Sequence, residues 1–382
     1  MKTVIYADKF FLTSGMEGPG FLDISHGIFG KITKEKPEDA TEVIDCAGKW
    51  IAPGLVDTHI HGFKNNDVMD NKAEGIKQMS EDLLSCGVTS FLPTTLTSSR
   101  EQLKAVAKTI GEVHQEVKGA KIQGIYFEGP FFTEEYKGAQ NPGYFSDPDI
   151  DVFNEWQEVS GGIIKKIALA PERQGVSEFV KEVTDQGVVV SLGHSNATLA
   201  EAKEAVECGA SVFVHAFNGM RGLNHREPGM VGAAMNLHHV FSELICDGHH
   251  VHPDAANILM DKAGRDHIAL ITDCMMAGGM PDGHYMLGEF PVTVKDGTAR
   301  LEEGNLAGSI LRLKEAIKNV VEWGIATPEE AIMMATLVPA ISCKMDDVCG
   351  SITRGRAADF IVLSEKLDLE ATYLDGVCRY QV

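Results

Sequence analysis

Pro53-Gly-Leu-Val-Asp-Thr-His59-Ile-His61-Gly62 is the stretch at which the texture of this 382-residue chain changes. A turn opens a short apolar strand, and the strand ends in two histidines one residue apart. Side chains alternate along a strand, so His59 and His61 face the same way. Two imidazoles leaving the carboxyl end of one strand suit a transition-metal ion, which favours nitrogen ligands. A lone His-x-His equally fits a polar strand end, so its meaning rests on what surrounds it.

Upstream, residues 1–52 read as short strands punctuated by Gly, Pro and Asp: Thr3–Ala7, Gly20–Ile24, Gly27–Ile32 and Glu42–Asp45. Downstream the pattern alternates. Apolar strands are expected at Leu55–Ile60, Val88–Leu96, Ile122–Phe127, Ile163–Leu169, Gly187–Leu192, Val212–Val214, Phe241–Cys246 and Ile268–Thr272. Helices fall between most of them, at Lys72–Cys86, from a capping box at Ser98–Glu101 to His114, and at Val176–Gln186, Ala197–Cys208 and Pro253–Ala263. A Gly/Pro/Asn-rich insert at 129–148 has the composition of an active-site loop. Residues 284–304 read as a hairpin turning at Asp296-Gly297, followed by helices at 310–323 and 328–337. Strand-and-turn texture returns from 346. The expected fold is α/β: a (β/α)8 TIM-type barrel over 53–345, with a small β-sandwich domain formed from both termini, 1–52 and 346–382. The first strand of the repeat is followed by no glycine-rich phosphate signature, which argues against an open dinucleotide-binding sheet.

Composition removes several function classes. A formal net charge of −21 argues against a nucleic-acid partner and against adhesion to anionic membranes. There is no run of about 18 apolar residues to span a bilayer. The N-terminus, Met-Lys-Thr-Val-Ile-Tyr-Ala-Asp, breaks any apolar run with charge and does not resemble a signal peptide. Eight scattered cysteines without a Cys-x-x-Cys pair read as reduced thiols. A cytoplasmic enzyme acting on a small molecule is the expectation.

In such a barrel the active site lies at the carboxyl ends of the strands. The polar residues there are His59 and His61, Glu128 after Ile-Tyr-Phe, His194 after Val-Ser-Leu-Gly, His215 after Val-Phe-Val, Asp247 to His250, and Asp273 after Leu-Ile-Thr. Any one of these could be a cap. Together, four histidines and a carboxylate make a ligand set for one or two divalent ions, Zn, Fe, Mn or Co. Asp273 is the odd member, a carboxylate placed to accept a proton from water and pass it on.

These segments, with Glu-Gly-Pro-Phe around Glu128, Gly-His194-Ser, His215-Ala-Phe-Asn-Gly-Met, Asp-Gly-His-His250 and Leu-Ala-Gly-Ser309, resemble the amidohydrolase superfamily, and within it the N-acetylglucosamine-6-phosphate deacetylase family. The resemblance covers essentially the whole chain. It implies hydrolysis of the acetamide of a small phosphorylated amino sugar by a homodimer. It implies that Glu128, His194 and His215 form one metal site, that His59 and His61 form a second with Glu128, and that Asp273 is general base and then acid. Asn218 and Gly219 would present backbone N–H groups to the sugar phosphate. Arg226 would bind phosphate across the dimer interface, and His250 would contact the substrate near its carbonyl. Ala307 and Gly308 would close around the acetamide. Gln140 stands where some relatives have histidine and would bond a sugar hydroxyl. The rival readings are another amidohydrolase activity, such as a cyclic-amide hydrolase or deaminase, and a non-catalytic scaffold of the same fold.

Overall fold

The computed structural model describes residues 2–382. Eight parallel strands ring the middle of the chain: β1 (Leu55–Ile60), β2 (Val88–Thr95), β3 (Ile125–Phe131), β4 (Ile164–Leu169), β5 (Val189–Leu192), β6 (Val212–Phe213), β7 (Phe241–Ile245) and β8 (Ile268–Ile271). They are almost continuously buried, as parallel strands covered on both faces must be. Each pairs with the next in sequence. The ring closes just beyond the end of β8, where Asp273 N–H donates to His59 O at 2.9 Å and His61 N–H donates to Cys274 O at 2.9 Å. The barrel seam and the histidine pair are therefore the same place.

Helices α1 (Ala73–Leu83), α2 (Arg100–Val113), α3 (Ile150–Val159), α4 (Val176–Asp185), α5 (Leu199–Glu207), α6 (Gly229–Asn236), α7 (Pro253–Ala263) and α8 (Leu313–Glu322) follow the strands in turn. Their apolar faces pack on the strands; α2, for example, buries Leu103, Val106, Ala107 and Ile110. Its N-cap is Ser99, which accepts from Gln102 N–H, one residue later than the expected box. Two of these helices, α3 and α6, are absent from the sequence reading. The expected single hairpin is a three-stranded sheet, Gly283–Leu287, Phe290–Lys295 and Thr298–Leu301, with a second turn at 288–289. The expected helix 328–337 divides into Pro328–Met334, capped by Thr327, and Leu337–Ser342.

Both ends of the chain join in a separate mixed sheet. Its order is 377–381, 369–374, 360–363, 42–53, 2–12, 20–25 and 28–33, with 15–17 beside 2–12. The sheet folds over its own core, so that Phe29 meets Phe360 with ring centroids 6.2 Å apart and Ala358 N–H donates to Gly27 O at 2.7 Å. Lys121 ties it to the barrel through Asp359 and Asp375, each at 2.8 Å. Strand 42–53 runs straight into β1 through Gly54, where a Cβ would lie 2.0 Å from Thr89 Oγ1. Only glycine lets the chain turn there so close to β2. Among the described residues no helix is long and apolar enough to cross a membrane, and all eight cysteines are free thiols.

Candidate active site

The strand ends bring His59, His61, Glu128, His194, His215 and Asp273 into one cluster. Two groups of three have ligand atoms within 4.8 Å of one another: His59, His61 and Glu128, and Glu128, His194 and His215. Glu128 is the shared member. Its Oε1 lies 3.1 Å from both His194 Nε2 and His215 Nε2 and 3.6 Å from His59 Nε2, while Oε2 lies 3.3 Å from His61 Nε2.

Every histidine of the cluster is anchored through its other nitrogen. His61 Nδ1 donates to Thr94 O at 3.1 Å, His194 Nδ1 to Tyr136 O at 2.9 Å, His215 Nδ1 to Asn218 O at 3.1 Å, and His59 Nδ1 to Glu243 Oε2 at 3.0 Å. Those bonds put the hydrogen on Nδ1 and turn each Nε2 lone pair inward. Inward lone pairs repel. His194 Nε2 and His215 Nε2 stand 3.1 Å apart, and His59 Nε2 is buried with no hydrogen-bond partner. Such an arrangement calls for a cation among the nitrogens, and four imidazoles with a carboxylate fit a divalent ion. The carboxylates of the cluster favour positive charge among the nitrogens, whether a proton or a metal ion supplies it. Burial disfavours a charged His61, yet Asp273 and Glu128 outweigh it and raise its pKa well above the usual imidazole value. Burial likewise opposes ionisation of Glu128, but the surrounding histidines hold it well below the carboxylate range.

Asp273 completes the cluster. Its Oδ1 lies 3.0 Å from His61 Nε2 and 3.5 Å from His59 Nε2. Its side chain is the most open of the six, 11% exposed against 0% for His59. Burial pushes its carboxyl up, but His59 and His61 hold it below its ordinary value, so it is a carboxylate at neutral pH. Backbone strain gathers here: His194 (φ 46°), His215 (φ 26°) and Asp273 (φ 49°) all adopt left-handed conformations that non-glycine residues avoid. Ser309 pins the Asp273 turn, donating its N–H to Asp273 O at 2.7 Å and its hydroxyl to Thr272 O at 2.5 Å. Ala307 is buried in the same segment, and Gly308 lies against Asp273 O.

The remaining expected residues are placed less uniformly. Gln140 donates from Nε2 to Glu128 Oε2 at 2.6 Å and accepts Thr97 N–H at 2.9 Å on Oε1. Its amide is engaged at both ends, so it orients Glu128. Asn218 N–H closes a turn onto His215 O at 3.0 Å. Gly219 sits at φ 58°, where a Cβ would lie 2.8 Å from His194 Nδ1. His250 Nδ1 bonds Asp247 Oδ2 at 2.7 Å, leaving Nε2 as its second polar atom. Arg226 lies in the exposed 221–228 loop, and its guanidinium has no hydrogen-bond or ion-pair partner among the described residues. The insert after Glu128 packs on the cluster through Thr133 N–H to His194 O at 3.0 Å.

Sequence reasoning missed Glu243, Lys166 and Thr94, and quoted Ser309 only as part of a motif, without a role. The first two had a signal: a charged residue inside an apolar barrel strand, Lys166 in Ile-Lys-Lys-Ile-Ala-Leu and Glu243 in Phe-Ser-Glu-Leu-Ile. Both are buried, and Lys166 is ion-paired with Glu243. Burial opposes ionisation of Glu243, but Lys166 and His59 hold its pKa at about 2.

Comparison with known proteins agrees with this geometry. The sequence profile of the amidohydrolase family matches residues 50–378. An N-acetylglucosamine-6-phosphate deacetylase of Vibrio furnissii is 40% identical over 85% of this chain and 82% of that protein. An N-acetylgalactosamine-6-phosphate deacetylase of Escherichia coli O157:H7 is 38% identical over 98% of this chain and 99% of that protein. Among solved structures, a mutant N-acetyl-D-glucosamine-6-phosphate deacetylase of Mycobacterium smegmatis, in complex with N-acetyl-D-glucosamine 6-phosphate, superposes with a TM-score of 0.93 at 27% identity, over 100% of both chains. The chain belongs to the amidohydrolase family.

Proposed function

We propose that this chain hydrolyses the acetamide of N-acetyl-D-glucosamine 6-phosphate to D-glucosamine 6-phosphate and acetate. The observation that carries the reading is the position of Asp273, an ionised carboxylate at the open edge of a histidine–glutamate cage, 3.0 Å from His61 Nε2. Glu128, His194 and His215 would hold one divalent ion (Zn²⁺, Fe²⁺, Mn²⁺ or Co²⁺), and His59, His61 and Glu128 a second. Such an ion supplies Lewis acidity, which lowers the pKa of water and polarises an amide carbonyl.

The chain's own groups do the rest. Asp273 accepts a proton from the attacking water on a carboxylate oxygen as the water oxygen adds to the acetyl carbon. It then returns that proton to the amide nitrogen as the C–N bond breaks, so that the sugar leaves as the amine and the acetyl group as acetate. His250, fixed through Nδ1 by Asp247, turns Nε2 to the substrate near its carbonyl. Gly219 N–H and the Arg226 guanidinium bind the phosphate, with Arg226 contributed across a homodimer interface. The exposure of Leu223 in the same loop, 62%, supports that use of the loop as a subunit contact. Eight free thiols fit a cytoplasmic setting.

A second reading is favoured by the galactosamine relative, which spans nearly the whole chain: the C4 epimer is the substrate. Acetate release from the two epimeric 6-phosphates and from unphosphorylated N-acetylglucosamine separates the cases. The proposal expects the highest kcat/KM on the glucosamine derivative and a large drop without phosphate. Equal turnover of the unphosphorylated sugar would sink the phosphate assignment.

A further inference from the structure

Lys166 on β4 and Glu243 on β7 form an ion pair in the barrel interior, with side chains 0% and 1% exposed. The proposed reaction uses neither as a ligand or a base. Buried ion pairs are a weak source of stability, because desolvation offsets the attraction and apolar residues of similar volume often do as well or better. The pair is better explained by what it touches. Glu243 Oε2 accepts His59 Nδ1–H at 3.0 Å and His215 backbone N–H at 3.3 Å. Lys166 Nζ sits 3.9 Å from the ring centroid of Tyr126, and the same ring meets His59 edge to face, with centroids 4.9 Å apart at 89°. His59 is thus held on one side by the Glu243 carboxylate and on another by the Tyr126 ring on which Lys166 rests, while its unpartnered Nε2 faces Glu128 and Asp273. The other three histidines of the cage lean on main-chain carbonyls. His59 alone leans on a carboxylate.

We propose that Lys166 and Glu243 are positioning residues that hold His59 as its Nδ1–H tautomer with the Nε2 lone pair aimed into the cage. In this way they set the metal affinity of the His59, His61 and Glu128 group without touching substrate. A carboxylate partner raises the basicity of a ligating imidazole and fixes its ring, and Lys166 compensates a charge that would otherwise be costly to bury. The inference rests on the metal reading of the cage.

The test is calorimetric titration of the metal-stripped full-length chain with Zn²⁺. Two double variants remove both charges together, so that no buried charge is orphaned: Lys166→Met with Glu243→Leu, and Lys166→Met with Glu243→Gln. Each is compared with His59 intact and with His59→Ala, and thermal melting checks the fold. The expected result is a graded loss. Zn²⁺ binding by the His59 group weakens on the order of 10–100-fold with leucine. It weakens less with glutamine, whose amide oxygen still accepts Nδ1–H, and neither pair has a further effect once His59 is alanine. If the leucine variant does not fold, the glutamine variant carries the comparison. Unchanged affinities, or equal losses with and without His59, overturn the positioning role. A wild-type chain that takes up no Zn²⁺ overturns the metal reading itself.

Discussion

Asp273 and Arg226 do different work in this account, and substitution separates them. Asp273→Asn keeps the side-chain shape but cannot carry the proton, so kcat should fall about 10²–10⁴-fold while metal content, measured on the same preparation, stays near wild type. Wild-type turnover in that variant would remove Asp273 from the reaction. Arg226→Ala removes an exposed cation that holds nothing else among the described residues; KM for the phosphorylated sugar should rise with kcat little changed. An unchanged KM would return Arg226 to an ordinary solvated loop. At this scale the sequence was most legible where chemistry sits at the end of an apolar strand. His59, His61, Glu128, His194, His215 and Asp273 all announce themselves that way, and the structure brings all six together. Residues acting through others were legible at most as positions, not by the partners they touch. Gln140 lies in an irregular insert whose path no periodicity predicts, and Glu243 reaches His59 across 184 positions of sequence.

The elements around the cage are held by contacts of the same long range. Glu289, at the tip of the 283–301 sheet, accepts from Asn141 Nδ2 at 2.7 Å and from Tyr144 O–H at 3.0 Å, pinning the insert that carries Gln140 and Tyr136. Glu289→Ala should release this contact at a cost of about 1 kcal/mol, seen as roughly fivefold faster amide exchange over residues 134–146. Exchange confined to wild-type rates would mean that the insert holds its own shape. The β1–β8 strands and most helices were readable because parallel strands are continuously apolar and their helices carry one apolar stripe. Two helices escaped for physical reasons. Helix α6, Gly-Met-Val-Gly-Ala-Ala-Met-Asn, is buried nearly all round, so it has no polar face to mark a period. Helix α3, capped by Asp149, follows directly on a Gly/Pro-rich stretch and shows only Phe153 and Trp156 as buried anchors.

As a whole, the molecule is a barrel with its termini folded into a second sheet, and its interior holds thiols that burial keeps protonated. Cys86, 2% exposed, is raised by burial from 9.0 to about 11. A group with a raised folded pKa contributes stability that is fully present below its unfolded value and lost as pH rises through the folded one. Unfolding free energy should therefore decline between pH 9 and pH 11, and Cys86→Ala should flatten that decline by on the order of 2 kcal/mol. Parallel denaturant titrations at pH 8 and pH 11 check it; an identical decline in the variant would locate the alkaline sensitivity elsewhere. The central claim concerns the cage at the barrel seam, and acetate release from N-acetyl-D-glucosamine 6-phosphate tests it most directly, measured before chelation, after complete metal removal and after refilling with Zn²⁺, Fe²⁺ or Mn²⁺. The account predicts turnover that vanishes with the metal and returns with at least one of these ions. Undiminished acetate release from protein verified to be metal-free would contradict it.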